Sequence, residues 1–227
     1  MKFTYYGHSS FSIELNGKHL LFDPFITPNE LAKDIDINSI AADYILLSHG
    51  HFDHVADVVA IAQRTGATVV GSWEVAEWFR KQGLNTHPMN TGGKWKFDFG
   101  TVKCVVAQHS SILPDGSYGG NPMGFVVDGG NGNTFYYAGD TALTIDMQLI
   151  PLTSAPLKFA LLPVGDNFTM GIDDAIIAAE FVKTPKVIGL HFDTFGYIKI
   201  NHQEAVTAFQ QKNVALLLPE IGKSIEL

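Results

Sequence analysis

A four-layer α/β/β/α sandwich is the fold class that this chain predicts, and three observations predict it. Strands joined by hairpin turns open the sequence and recur in its middle. Strand–helix alternation follows each of those strand-rich stretches. With 227 residues, 46% apolar and 17% charged, the chain is long enough for one full core and has a globular balance. A single domain over residues 1–227 is the matching expectation, since no repeat, linker or low-complexity stretch interrupts the pattern.

The elements follow in order. "KFTYYG", "SFSIEL" and "KHLLFDP" alternate as short strands, and Asn16-Gly17 between the last two is a two-residue hairpin signal. Residues 27–42 are polar with few apolar anchors and predict a surface excursion. "YILLS" then reads as a buried strand, "ADVVAIAQRTG" as a helix stopped by Gly66, and "TVVG" as a strand. "SWEVAEWFRKQG" is a second helix, capped by Ser72 and stopped by Gly83. His87, just before Pro88, falls in a loop. The middle strands are "WKFDFG", "TVKCVVAQH", "MGFVVDGG" and "NTFYYAGD", with "DGGNGN" as a plain hairpin turn. The last third predicts strand "FALLPVG", helix "DDAIIAAEFVK" capped by Asp173 with Ile172 stapled onto Ile177, strand "KVIGLH", helix "NHQEAVTAFQQKN" and strand "VALLLP".

Composition narrows the function classes. A formal charge of −8 offers no general attraction to a phosphate backbone, so nucleic acid is not expected as a partner. Cys104 stands alone, which excludes a disulfide framework and a cysteine-rich zinc site and suits a reducing compartment. No apolar run approaches the roughly 18 residues of a membrane span. Thr4, His8, the serines and Glu14 break up the opening segment, so no signal peptide is expected. Together these features predict a cytoplasmic protein acting on a small molecule, with a homo-oligomer allowed.

The chemistry concentrates in "SHGHFDHVAD", where His49, His51, Asp53, His54 and Asp57 fall within ten positions. Buried imidazoles need partners, and the commonest partner for several of them is a metal ion. On an extended exit from a strand, His49 and His51 share one side. Three further groups stand directly after apolar runs: His109, Asp140 and His191. Seven ligands exceed the four of a structural zinc site and match a two-metal centre with open positions. Asp57 reads better as a first-turn helix carboxylate than as a ligand. His19, His87 and His202 read as structural or exposed. His8 stands in a loop able to lean over the site, and Asp193 is a candidate for orienting His191. Asn167, Phe168 and Thr169 follow another strand end and are candidate substrate contacts, with Met170, Phe195 and Tyr197 as a candidate apolar mouth.

"SHGHFDH", the lone His109, the Asp140 of "AGDT" and the His191 of "GLHFDTF" together resemble the signature of the metallo-β-lactamase superfamily. "YYGHSSFSIE", "GGNPMGFVV", "YYAGDT" and "LLPVGDNFTMG" resemble a family of metal-dependent hydrolases within it, similar to the ascorbate-phosphate lactonase type and more distantly to ribonuclease Z. The resemblance covers the chain from Phe3 to about Pro219. It implies the αββα fold of that superfamily and two divalent metal ions. His49, His51 and His109 would hold one, Asp53, His54 and His191 the other, and Asp140 would bridge them. Zinc is the expected metal, and manganese, iron or nickel suit the same ligands. Asp53 and Asp140 would be the catalytic carboxylates. The chain departs from the lactam-cleaving branch in lacking a cysteine ligand. It departs from the flavodiiron branch in carrying His51 where that motif has glutamate, and it has no counterpart of the substrate arm of ribonuclease Z. The implied activity is hydrolysis of a small-molecule ester or lactone. The alternatives are a phosphodiesterase acting on nucleotides or RNA and a non-catalytic metal-binding protein.

Overall fold

The computed structural model describes residues 1–227, which form two compact units, each built on a seven-stranded mixed sheet. The first comprises residues 1–91, 110–122 and 220–227, and the second comprises residues 92–109 and 123–219.

In the first unit, β1 (Lys2–Gly7), β2 (Ser10–Leu15) and β3 (Lys18–Phe22) form an antiparallel meander. The Asn16-Gly17 turn joins β2 to β3, and both residues adopt the positive φ that this dipeptide tolerates. β4 (Tyr44–Leu46), β5 (Thr68–Ser72) and β6 (Thr86–Met89) extend the sheet in parallel from β3. A C-terminal strand, Ser224–Glu226, which the sequence pattern did not signal, pairs with β1 at the other edge. Residues 86–89 are thus a strand rather than a loop. β6 ends the sheet, and an edge is the place where Pro88, lacking an N–H, costs least.

Helices α1 (Phe52–Val55), α2 (Val58–Thr65) and α3 (Trp73–Arg80) complete this unit. α2 stops on a left-handed Gly66, and the Ser72 hydroxyl accepts from Val75 N at the start of α3, both as the sequence predicts. Residues 27–42 are less superficial than expected. Asn29, Ala32, Ile40 and Ala42 are buried, and the three apolar ones pack with Leu21, Ile45, Val58 and Val69 in the core.

In the second unit, β7 (Lys94–Phe97), β8 (Gly100–Val106), β9 (Met123–Asp128) and β10 (Thr134–Tyr137) are antiparallel neighbours. β11 (Phe159–Pro163), β12 (Lys186–Leu190) and β13 (Ala215–Leu217) continue in parallel from β10. The "DGGNGN" segment is the hairpin turn between β9 and β10, with Gly129 N donating to Asn133 O. Helices α4 (Ile150–Thr153), α5 (Ile172–Phe181) and α6 (His202–Gln211) pack with Val126, Tyr136, Ala160 and Leu162. α4 was not apparent from the pattern. α5 is capped at Gly171, with Ile172 as its first residue, so the expected Asp173 cap and Ile172 staple do not form. Asp173 lies instead in the first turn, where a carboxylate complements the helix dipole. Cys104 is buried on β8, and loss of hydration pushes its thiol up to about 12. No helix is long and apolar enough to cross a membrane.

Candidate metal centre

Strand direction gathers the site residues. In the first unit, β2 runs antiparallel to both β1 and β3, so β1 and β3 share a direction, and β4 is parallel to β3. Their C-terminal ends therefore lie on one edge of the sheet. His8 follows β1, Asp23 follows β3, and Ser48 and His49 follow β4. In the second unit, β9 runs antiparallel to β8 and β10, and β12 runs parallel with β10 through β11. The ends of β8, β10 and β12 again meet one edge, carrying His109, Asp140 and His191. His109 and Asp140 stand three residues beyond their strands, because β8 and β10 end at Val106 and Tyr137, earlier than the apolar runs suggest.

Within the first unit, Asp23 is the hub that sequence reasoning missed. It is fully buried. Its Oδ1 accepts from Ser48 N at 2.8 Å, and its Oδ2 accepts from Ser48 Oγ at 2.5 Å and faces His54 Nδ1 at 2.8 Å. A carboxylate only accepts, so the shared proton belongs to Nδ1 and Nε2 of His54 carries the lone pair. The single Ser48 hydroxyl proton goes to Asp23. Ser48 Oγ, 3.0 Å from His49 Nδ1, must therefore accept there, which places the His49 proton on Nδ1 and the lone pair on Nε2. One carboxylate thus sets both tautomers. The ligand atoms of Asp23, His49 and His54 lie within 4.8 Å of one another.

The remaining residues of that motif complete the donor set. His49 Nε2 lies 2.9 Å from His51 Nδ1, and Asp53 Oδ2 lies 3.8 Å from His54 Nε2. His8 does lean over the motif, with its Nε2 3.1 Å from Asp53 Oδ2. Asp57 is not a ligand. Its Oδ2 accepts from Ile26 N and Thr27 N at 2.6 and 2.9 Å, pinning the chain that follows Asp23.

Within the second unit, one oxygen of Asp140 faces both histidines. His191 Nε2 lies 2.9 Å from Asp140 Oδ2, and His109 Nε2 lies 3.7 Å from the same atom. Asp140 and His191 are buried. Gln108 N donates to Thr141 Oγ1 and Met170 N to Thr141 O, which ties the segments bearing His109 and Asp140 to the loop bearing Asn167, Phe168 and Thr169. Phe168 is exposed and meets Tyr197 edge-on at 6.3 Å, whereas Met170 is fully buried in the core and walls no mouth. Asp193 does not orient His191 as expected. Its Oδ2 pairs with His202 Nε2 at 2.6 Å, and its Oδ1 accepts from Ile200 N.

Left-handed backbone recurs at the same places. His8, Asp23 and His191 have positive φ of 55°, 40° and 56°, a region uncommon for L-residues that several turn residues of this chain, Asn16 among them, also adopt. The His191 conformation presses its carbonyl onto Gly165, where an added Cβ would collide with that oxygen and approach Ile198 Cβ to 3.0 Å. Gly165→Ala is therefore expected to displace the His191 backbone and to destabilise the protein by about 1–3 kcal/mol. An unchanged urea-unfolding midpoint and slope would contradict this.

The donor set of the first unit fits a divalent metal ion: His49 and His54 have Nδ1 tied to Ser48 and Asp23 with Nε2 left as the lone-pair atom, and the Asp53 carboxylate is within reach. The class of protein, a metal-dependent hydrolase, comes from the comparisons. The chain belongs to the family described as the Beta-lactamase superfamily domain, which it matches over residues 18–192, and within it to the UPF0173 metal-dependent hydrolases. It is 57% identical over 227 residues to a UPF0173 metal-dependent hydrolase of Flavobacterium johnsoniae, and 54% identical over 228 residues to one of Christiangramia forsetii. All of both chains is covered in each case. Among solved structures it is similar to Igni18, a metallo hydrolase of the archaeon Ignicoccus hospitalis, with a TM-score of 0.88, 30% identity and coverage of 99% and 97%. An isothiocyanate hydrolase from Delia radicum gut bacteria shares the fold at a TM-score of 0.78 and 20% identity, with 100% and 99% covered. The fold class expected from the sequence, the metallo-β-lactamase type with two sheets and helices, is the one these comparisons show.

Proposed function

We propose that this metal-dependent hydrolase holds two divalent ions, zinc as the first choice, and cleaves a small-molecule ester or lactone in the cytoplasm. In this reading residues 1–227 work as one catalytic domain. His49, His51 and His109 hold one ion, Asp53, His54 and His191 hold the other, and Asp140 is shared. The observation that carries the reading is the double tautomer control by Asp23, which leaves Nε2 of His49 and of His54 as lone-pair donors. When bound, such ions supply Lewis acidity and lower the pKa of a coordinated water to about 7.

The protein's own groups do the rest. His8 donates from Nε2 to Asp53 Oδ2 and so holds that ligand carboxylate in one rotamer. Asp140 Oδ2 holds His191 at 2.9 Å and stands 3.7 Å from His109, placed to be shared between them. Asn167 and Thr169 offer polar contacts to the substrate and Phe168 an apolar one, on a loop tethered to the Asp140 segment. Ester or lactone is preferred to phosphodiester because the groups around these residues are carboxylates, hydroxyls and imidazoles, and the chain carries −8 overall.

The test is a rate comparison on metal-loaded protein between an aryl lactone and bis(p-nitrophenyl) phosphate. Turnover of the lactone at least a hundredfold above the diester is expected. Turnover of the diester alone would replace this reading with a phosphodiesterase. Turnover of neither, nor of a panel of esters, would leave a metal-binding protein without catalysis.

A further inference from the structure

Residues 110–120 form a strap that returns onto the turn bearing His49 and His51. Ser111 Oγ accepts from Gly50 N at 3.0 Å, and Leu113 packs so closely that a Cβ on Gly50 would approach its Cδ2 to 3.0 Å. Leu113 is buried in the first unit's core. On the other limb, Gly119 N donates to Ser111 O, and Ser72 Oγ donates to Gly119 O at 3.0 Å. Trp78 Nε1 holds Asp115 Oδ2 at the tip. A segment tied at its root, limb and tip keeps one conformation.

Burial shows what the strap presents. Ser111 is half-buried and Leu113 buried against the Gly50 turn, whereas Ser110 and Ile112 are exposed. Ser110 Oγ lies 3.4 Å from His51 Nε2, which brings the exposed side of the strap to the edge of the His51 ring at Ser110. Ile112 bridges Tyr118 in antiparallel register, flanked by Leu113 N→Ser117 O and Gly119 N→Ser111 O. Those flanking bonds make Ile112 and Tyr118 the non-hydrogen-bonded type of pair, in which the Cα atoms approach to about 4.5 Å and the side chains touch on one face. Both are largely exposed, at 51% and 64%. A rigid strap rooted on a ligand-bearing turn thus spends its free face on two adjoining apolar side chains.

We propose that Ile112 and Tyr118 form the specificity wall of the site and take the apolar part of the substrate, an alkyl or aryl group attached to the scissile carbonyl or its leaving alcohol. This rests on the metal reading above, because the wall matters only if His51 lies at the reacting centre. The substrate class is thereby narrowed to esters or lactones bearing an apolar chain.

The test uses the metal-loaded full chain, with binding and turnover read separately. Acetohydroxamate and octanohydroxamate share the metal-seeking head and differ only in the tail. Calorimetric titration is expected to show octanohydroxamate binding at least tenfold tighter. That preference should fall to within about twofold in the Ile112→Ala/Tyr118→Ala variant, and it should persist in Leu152→Ala, an exposed apolar position of the second unit. The ratio of kcat/KM for p-nitrophenyl octanoate over acetate should fall in parallel, with metal content unchanged in the wall variant. Equal affinity for the two tails in the wild-type protein, or a preference that survives the double substitution, overturns the proposal. A tail preference lost in the variant, with no ester or lactone turned over, would sustain the wall and overturn only the hydrolytic reading of the bond.

Discussion

If the proposed two-ion reading holds, replacing Asp140 by alanine is expected to lower bound metal to one ion per chain or fewer and to reduce turnover of the proposed lactone substrate about a thousandfold or more. The reason is local and visible. A single oxygen of Asp140 faces His191 Nε2 at 2.9 Å and His109 Nε2 at 3.7 Å, on a carboxylate that is almost fully buried. Alanine removes the negative charge that a cation shared with these two imidazoles would need, and it brings no replacement donor. Asp140→Asn separates charge from shape, since it keeps an acceptor oxygen and loses the charge. It is expected to retain the fold and still lose metal. Metal counted by mass spectrometry at two per chain in Asp140→Ala, with turnover within tenfold of wild type, would remove Asp140 from the shared position.

The second large effect is expected at Asp23, a residue outside the proposed ligand sets. Asp23→Ala strands the Ser48 N–H and hydroxyl and His54 Nδ1, all of which Asp23 now satisfies inside a region closed to water. Breaking a buried hydrogen-bonded set of this kind costs about 3–5 kcal/mol, read as a shift in the urea-unfolding midpoint. Metal affinity, measured by competition with a chelator, should fall about 10–100-fold, because His49 and His54 are no longer held with Nε2 as the lone-pair atom. The two readouts separate the roles. A stability loss with unchanged metal affinity would make Asp23 a structural residue alone and would withdraw the tautomer argument.

Much of the candidate site was legible in the linear sequence through two signals. The density of His49, His51, Asp53 and His54 in one short stretch marked the first group, and a histidine or aspartate just beyond an apolar run marked His109, Asp140 and His191. Asp23 also stands just beyond an apolar run, in "KHLLFDP", but as a single carboxylate outside the histidine cluster it carries no further local signal. Ser48 and Ser111 act through hydrogen bonds between segments 25 and 61 positions apart, and no local pattern encodes those distances. Asp193 failed as a partner for His191 for a related reason. Adjacency in sequence suggested contact, but the left-handed backbone at His191 and at Asp193 itself accompanies a carboxylate bonded to His202 instead.

The chain by itself determined most strands and helices, through the period-two and 3.6-residue spacing of its apolar side chains, though not the edge strand at residues 86–89, α4 or the strand at Ser224–Glu226, and it determined which residue types stand at strand ends. It also determined the turns, since Asn16-Gly17 and the 128–133 segment have few other conformations open to them. The tertiary structure alone decided the rest. Insertion of β2 between β1 and β3, and of β9 between β8 and β10, makes the flanking strands co-directional, and only then do His8, Asp23 and His49 meet on one sheet edge and His109, Asp140 and His191 on the other sheet's edge. Strand order depends on which edges pair in space, a property of long-range burial and hydrogen bonding that no window of neighbouring residues contains.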